Sequence, residues 1–205
     1  RDVIAFTGAW SSKSTMWQFE NVDTIGSLLQ IDPKECAQIQ VGNGLFGIRQ
    51  QLLKTQAEYL SQKYHCVVTN PPYLGKGFCD VLKSYVNEYY VEGKADLCTC
   101  FTLRQGYFTV KNGFYANIIP PSWMFLSTFE GLRRSIIEKQ TIQSLLHFSR
   151  GVFGADFGSV SCVIQNKKNE NACGTYFRLI ERTFQEFDER HLQQLYLKKL
   201  ANYDF

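Results

Sequence analysis

Cys66-Val67-Val68-Thr69-Asn70-Pro71-Pro72-Tyr73 decides how this chain reads, because an apolar run leads straight into a polar corner stiffened by two prolines. A residue before proline is pushed out of the helical region, and proline fixes its own φ and lacks an N–H. Asn70-Pro71-Pro72 must therefore run extended, and 66–69 reads as a buried strand that ends on the corner. Extended proline peptides leave carbonyl oxygens that no neighbouring strand claims. The Asn70 side-chain oxygen and the Pro71 carbonyl can then both accept hydrogens from one bound NH2 group.

Two fixed acceptors suit a planar amine such as the exocyclic amine of adenine, whose lone pair is delocalised into the ring. Paired acceptors help return that density to nitrogen as a new bond forms, so no strong base is required. What remains is a donor reactive enough for a weak nucleophile. The sulfonium of S-adenosylmethionine is one, and it leaves the protein to position and stabilise. Tyr73 offers an aromatic face; stacking contributes roughly 1–3 kcal/mol per base, against the few kcal/mol needed to extrude a base from a duplex. A plain turn or a polyproline ligand would use the same residues. A ligand string sits in a disordered segment, whereas this one follows a strand and precedes an apolar stretch, which favours an active site.

With 205 residues, 44% hydrophobic and 15% aromatic, the chain can bury one substantial core, which excludes a disordered or low-complexity class and makes one α/β domain the natural count. Pro120-Pro121 break the most hydrophobic region short of the ~20 residues a membrane helix needs, and no signal peptide opens the sequence. The expected location is cytoplasmic, away from membranes. Seven cysteines, Cys36, Cys66, Cys79, Cys98, Cys100, Cys162 and Cys173, include no Cys-x-x-Cys pair and have no paired histidines nearby, so reduced thiols are expected rather than metal ligands. A net charge of +3 is compatible with nucleic acid but does not argue for it unaided. The start at Arg1 and the stop at Phe205, just after a helix-like stretch over 189–200, suggest a piece of a longer protein.

From residue 64 on, strand and helix signals alternate, the mark of a sheet covered by crossover helices. A helix is expected over 96–111, stopped by Asn112-Gly113, and then a strand over 115–119. Ser127 and Glu130 have capping-box spacing ahead of a helix that runs to Lys139. Strands over 142–148 and 160–165, joined by Gly151-Val152-Phe153-Gly154, are too close together for a helical crossover and should pair antiparallel. Residues 50–63 look helical, and 166–174 reads as an exposed loop. The expected division is 1–63 as the N-terminal segment of one catalytic domain, 64–168 as its core and 169–205 as the start of a C-terminal extension.

Gly42-Asn43-Gly44-Leu45-Phe46-Gly47 matches the dinucleotide pattern letter for letter, but no cofactor-binding strand and helix fit between it and Asn70. Glu92-Gly93-Lys94 lacks the Pro-Asp partner of a metal-dependent nuclease. His65, His147 and His191 stand alone, with no nucleophile elbow. Phe153, on a glycine-flanked tip, either folds back onto the core or pairs with Tyr73 around an extruded base.

Thr69-Asn70-Pro71-Pro72-Tyr73-Leu74-Gly75, Lys94-Ala95-Asp96-Leu97 and Pro121-Ser122-Trp123-Met124-Phe125-Leu126 together resemble the gamma-type amino-group DNA adenine methyltransferases. The likeness is greatest to those of bacteriophage-exclusion systems and to type IIG restriction-modification enzymes, and covers roughly 21–168. It implies a partial Rossmann-like class I methyltransferase sheet that ends in an antiparallel hairpin, S-adenosyl-L-methionine as methyl donor, and adenine flipped out of double-stranded DNA. It also implies other subunits of a defence complex as partners. By position it gives Asn70 and Pro71 the target amine, Tyr73 one face of the base and Phe153 the other, with Asn70 and Pro72 bordering the donor's methyl group. The family's glycine-rich donor loop would lie upstream of Arg1. Ser27 stands where an acidic residue would touch the donor's adenine, with Asp23 a weak substitute, so the piece is expected to be inactive alone. Methyltransferases acting on protein glutamine or ribosomal RNA use similar corners, and a non-catalytic DNA-docking or scaffold subunit is the reading from another class.

Overall fold

A computed structural model describes residues 19–152, 158–181 and 188–202, which fall into two units: 19–62 with 78–85, and 63–77 with the described residues from 86 on. The first unit is helical. Asp32 caps α2 (Pro33–Ala37) by accepting from Lys34 N at 2.8 Å, with Pro33 supplying a preset φ at the first helical position. Before it lie α1 (Val22–Ile25) and a 3-10 turn, Gly26–Leu28; after it comes α3 (Gly44–Ser61), which starts six residues before the helix expected over 50–63 and stops two residues short of its end. Ile25, Leu28, Leu29, Ile31, Ala57, Leu82 and Tyr85 are buried, and the Tyr85 hydroxyl accepts from Gln30 N at 2.8 Å. Gly44 lies inside α3, and turn and coil precede it. The Gly42 to Gly47 stretch is therefore not the strand-to-helix loop that a dinucleotide site needs.

The second unit is built on five strands in the order β1-β2-β4-β3-β5. They are β1 (Tyr64–Thr69), β2 (Thr109–Ile119), β3 (Thr141–Arg150), β4 (Gly158–Gln165) and β5 (Thr175–Leu179). β1 and β2 run parallel across the crossover helix α5 (Leu97–Phe108); β4 runs antiparallel between β2 and β3, as the short 142–165 connection requires. β5 then pairs in parallel with β3, so the hairpin has a further strand beside it. Five residues with only Phe177 and Leu179 facing inward are too brief a pattern to mark β5 among polar neighbours. α4 (Asp80–Tyr89), α6 (Glu130–Lys139) and α7 (Glu189–Ala201) complete the elements, α4 passing from the first unit into the second.

Alternation along β2 buries Tyr115, Asn117 and Ile119; of these Tyr115 and Ile119, with Val160, Cys162 and Ile164 of β4, pack under Trp123, Phe129, Leu132 and Ile136. Each large side chain so buried contributes roughly 1.5–3 kcal/mol. Phe177 and Leu179 of β5 close a second cluster with Leu195 of α7.

Two boundaries differ from the sequence expectation. α5 ends at Phe108, where Thr109 N and Oγ1 both bond the Gln105 carbonyl, and β2 begins at once. Asn112-Gly113 is thus not a helix stop but an irregularity inside the strand. Between Tyr64 and Cys66 the partner on β2 jumps from Thr109 to Phe114, and Asn112 takes φ +69. Gly113 permits this because a Cβ there would come within 2.8 Å of the His65 carbonyl. Ser127 starts a 3-10 turn rather than a capping box, with no side-chain cap bond, and Glu130 instead pairs with Arg134 at 3.1 Å.

Buried Gln105 ties α5 to the two strands that carry the site. Its Nε2 donates to Ala116 O at 2.8 Å and Val67 O at 3.3 Å, and its Oε1 accepts from Asn117 Nδ2 at 3.0 Å. Gln105→Ala should speed hydrogen exchange of peptides over 66–70 and 116–118 roughly 30-fold, equivalent to about 2 kcal/mol of lost local stability. Mass-detected exchange checks this.

Burial pushes the Cys100 and Cys162 thiols up to about 12 and raises Cys98 further, Asp96 adding its negative charge at Cys98 and Cys100. Cys66, Cys79 and Cys173 are exposed. Maleimide at pH 9 should label the exposed three and spare these buried ones, since the thiolate is the reactive form. The folded state holds these protons to higher pH than the unfolded chain. Stability should therefore fall as pH rises above the ordinary thiol value of 9.0.

Candidate active site

β1 ends at Thr69 and its parallel neighbour β2 at Ile119, so 70–75 and 120–126 leave the sheet at the same carboxyl edge, where open α/β sheets bind ligands. Asn70 and Pro72 are exposed there, while Pro71 is buried. Among the described residues no donor claims the Pro71 carbonyl and no acceptor engages Asn70 Nδ2.

Tyr73 makes contacts that its sequence reading did not include. Its ring packs against the cluster around Tyr115 and Trp123, and its hydroxyl lies 2.8 Å from Asn70 Oδ1 and 3.0 Å from Ile118 O. One proton serves two acceptors, pinning the Asn70 amide to the end of β2 and leaving Oδ1 a second lone pair. Burial first, and then the nearness of Cys98, raise the Tyr73 phenol above its ordinary value, so it keeps its proton and remains a donor. The ring is thus held at both ends.

On the other flank, Asp96 caps α5: its Oδ1 accepts from Cys98 N at 3.0 Å and from Leu74 N at 3.2 Å. Leu97 N returns a bond to Leu74 O at 2.9 Å. A Cβ at Gly75 would lie 3.2 Å from Asp96 Oδ2, so glycine allows this close approach. The segment after β2 is fixed by Arg133, whose Nη1 donates to Trp123 O and Leu126 O, both at 2.7 Å.

Of the residues proposed from sequence, Asn70, Pro71, Pro72 and Tyr73 share one corner. Phe153 lies outside the described residues. Asp23 and Ser27 belong to the helical first unit, both exposed. The Tyr73 hydroxyl and Asp96 were missed. An aspartate just before an apolar helix start is a visible cap signal, but its reach to Leu74 depends on tertiary structure. These groups can hold and orient an NH2 group and brace the loop that does so.

The Eco57I restriction-modification methylase model matches residues 11–153. Over 131 residues the chain is 34% identical to the adenine-specific methyltransferase BrxX of Escherichia coli O9:H4 (strain HS), covering 62% of this chain and 11% of that protein. Over 149 residues it is 35% identical to the adenine-specific methyltransferase PglX of Lacticaseibacillus casei (strain Zhang), covering 70% and 12%. The chain therefore spans about a ninth of the length of these relatives. In fold it is similar to the methyltransferase subunit of a type I restriction-modification system from Streptococcus thermophilus, with TM-score 0.50 and 16% identity over 70% of this chain and 33% of that one. A nuclease-deletion mutant of the Type ISP restriction-modification enzyme LlaGI in complex with a DNA substrate mimic matches with TM-score 0.50 and 16% identity, over 83% and 19%.

Proposed function

The chain belongs to the Eco57I restriction-modification methylase family, and from that premise we propose that its corner carries a methyl group from S-adenosylmethionine to the exocyclic amine of adenine in duplex DNA. The setting is a restriction-modification or phage-defence enzyme, in keeping with the relatives named adenine-specific methyltransferases.

The observation that carries this reading is the exposed Asn70 amide, pinned through the Tyr73 hydroxyl to β2, beside an unclaimed Pro71 carbonyl. The amine of an extruded adenine would give one hydrogen to Asn70 Oδ1 and the other to Pro71 O. Both bonds strengthen as nitrogen gains positive charge in the transition state, which is where binding lowers a barrier. The amine then loses a proton to water once the bond to carbon has formed. Tyr73 covers one face of the base, and Phe153 is assigned the other.

S-adenosylmethionine supplies an activated methyl group with a neutral thioether as leaving group. Asn70 and Pro72, exposed at the end of β1, suit the border of its methyl end. Among the described residues no glycine-rich strand-to-helix loop offers a seat for its adenosyl part. That seat is assigned to the remainder of the full-length protein, as is the choice of DNA sequence.

The test is product analysis. Full-length protein, labelled donor and adenine-containing duplex should yield N6-methyladenine on hydrolysis of the DNA. Label in protein glutamine or ribosomal RNA, with none in duplex, would overturn the substrate assignment.

A further inference from the structure

We infer that Asp96 is a positioning residue for the Asn70 corner, an inference that rests on the function proposed above. The carboxylate is fixed by its own backbone: Asp96 N donates to Gly93 O at 3.3 Å, and the Thr99 hydroxyl lies 2.7 Å from Asp96 O and 2.6 Å from Gly93 O. One carboxylate oxygen then accepts two amides from different parts of the chain. Cys98 N belongs to α5, and Leu74 N directly follows Tyr73.

With the return bond from Leu97 N to Leu74 O, the residue after Tyr73 is tied to α5 through both its N–H and its carbonyl. The Tyr73 hydroxyl ties the same loop to β2. The corner is therefore strung between two rigid elements, and Asp96 supplies the anchor on the helix side. Pro71 and Pro72 have no N–H to contribute, and two residues past them the Leu74 amide donates a hydrogen bond to the cap of α5. Cutting this tether leaves the acceptors present but less well aligned. A misplacement of about 1 Å costs roughly 100-fold in rate.

Asp96→Ser separates the two jobs of the carboxylate. Serine is a good helix cap, so it can keep the bond to Cys98 N, but its shorter side chain does not span to Leu74 N. Asp96→Asn keeps an acceptor at full reach.

In the full-length protein Asp96→Ser should lower kcat for duplex methylation by about 10- to 100-fold, with KM for DNA and Kd for S-adenosylmethionine within about twofold and exchange over 97–108 unchanged. Asp96→Asn should stay within about threefold of the parent. Asn70→Ala is run alongside. If it retains the parent rate, the functional reading falls and this inference with it. If Asn70→Ala is inactive but Asp96→Ser works at the parent rate, Asp96 only caps the helix and this inference alone is overturned. Should Asp96→Ser not fold, Leu74→Pro decides, since it removes the tethering N–H and leaves Asp96 on Cys98 N: a loss above tenfold supports the tether, and the parent rate contradicts it.

Discussion

Asn70→Ala in the full-length protein should cut kcat for adenine methylation by about 10²- to 10³-fold, while Kd for duplex DNA shifts by less than about threefold. The amide supplies one of two acceptors aimed at the reacting amine, and removing one preorganised partner of developing charge costs about 3–4 kcal/mol in comparable sites. The loss falls on turnover because the bond strengthens as nitrogen becomes cationic, whereas affinity for duplex DNA in general comes from many phosphate contacts. The exposed position of Asn70 makes the substitution a clean one, with no cavity opened and only the Tyr73 hydroxyl losing a partner, which still keeps Ile118 O. Steady-state kinetics and a filter-binding titration measure both quantities.

Tyr73→Ala should remove both the stacking face and the hydroxyl pin, and with them most of the extruded-base population. Stacking is worth roughly 1–3 kcal/mol, comparable with the cost of opening the duplex at one base, so the balance tips back toward the stacked helix. A duplex with 2-aminopurine at the target should brighten on binding the parent and stay dim with Tyr73→Ala. Tyr73→Phe divides the two contributions. The ring remains, so brightening persists, while the unpinned Asn70 amide lowers kcat by about tenfold, the value of one modest hydrogen bond. Full brightening with Tyr73→Ala would show that another group holds the base.

The corner was legible because proline chemistry is local: Asn70-Pro71-Pro72 has little choice of backbone whatever surrounds it, and the apolar run before it announces the strand but not its burial, since β1 ends the described strand order and leaves Cys66 and Val68 exposed. The antiparallel pairing of β3 and β4 was legible for a similar reason, since loop length alone forbids a crossover. Asn112-Gly113 misled because the same dipeptide that ends a helix also accommodates a left-handed residue in a strand, and only the His65 carbonyl opposite Gly113 decides between them. Ser127 and Glu130 misled because a 3-10 turn satisfied the first amides before a capping box could. The bracing of Asn70 by Tyr73, and of Leu74 by Asp96, joins residues 3 and 22 apart in sequence. The first is near enough to have been considered; the second depends on where α5 lands after its crossover, which no pattern in the chain states.

The relation between the corner and its substrate is open to direct measurement. In a complex of the full-length protein with an adenine-containing duplex and an unreactive donor analogue, the distances from adenine N6 to Asn70 Oδ1 and to Pro71 O are the quantities of interest. Both should fall at about 2.7–3.2 Å, the range of an N–H···O hydrogen bond, with the Tyr73 ring against the base. A target amine bound away from these two oxygens, with the corner left empty, would contradict the assignment of Asn70 and Pro71 as its acceptors.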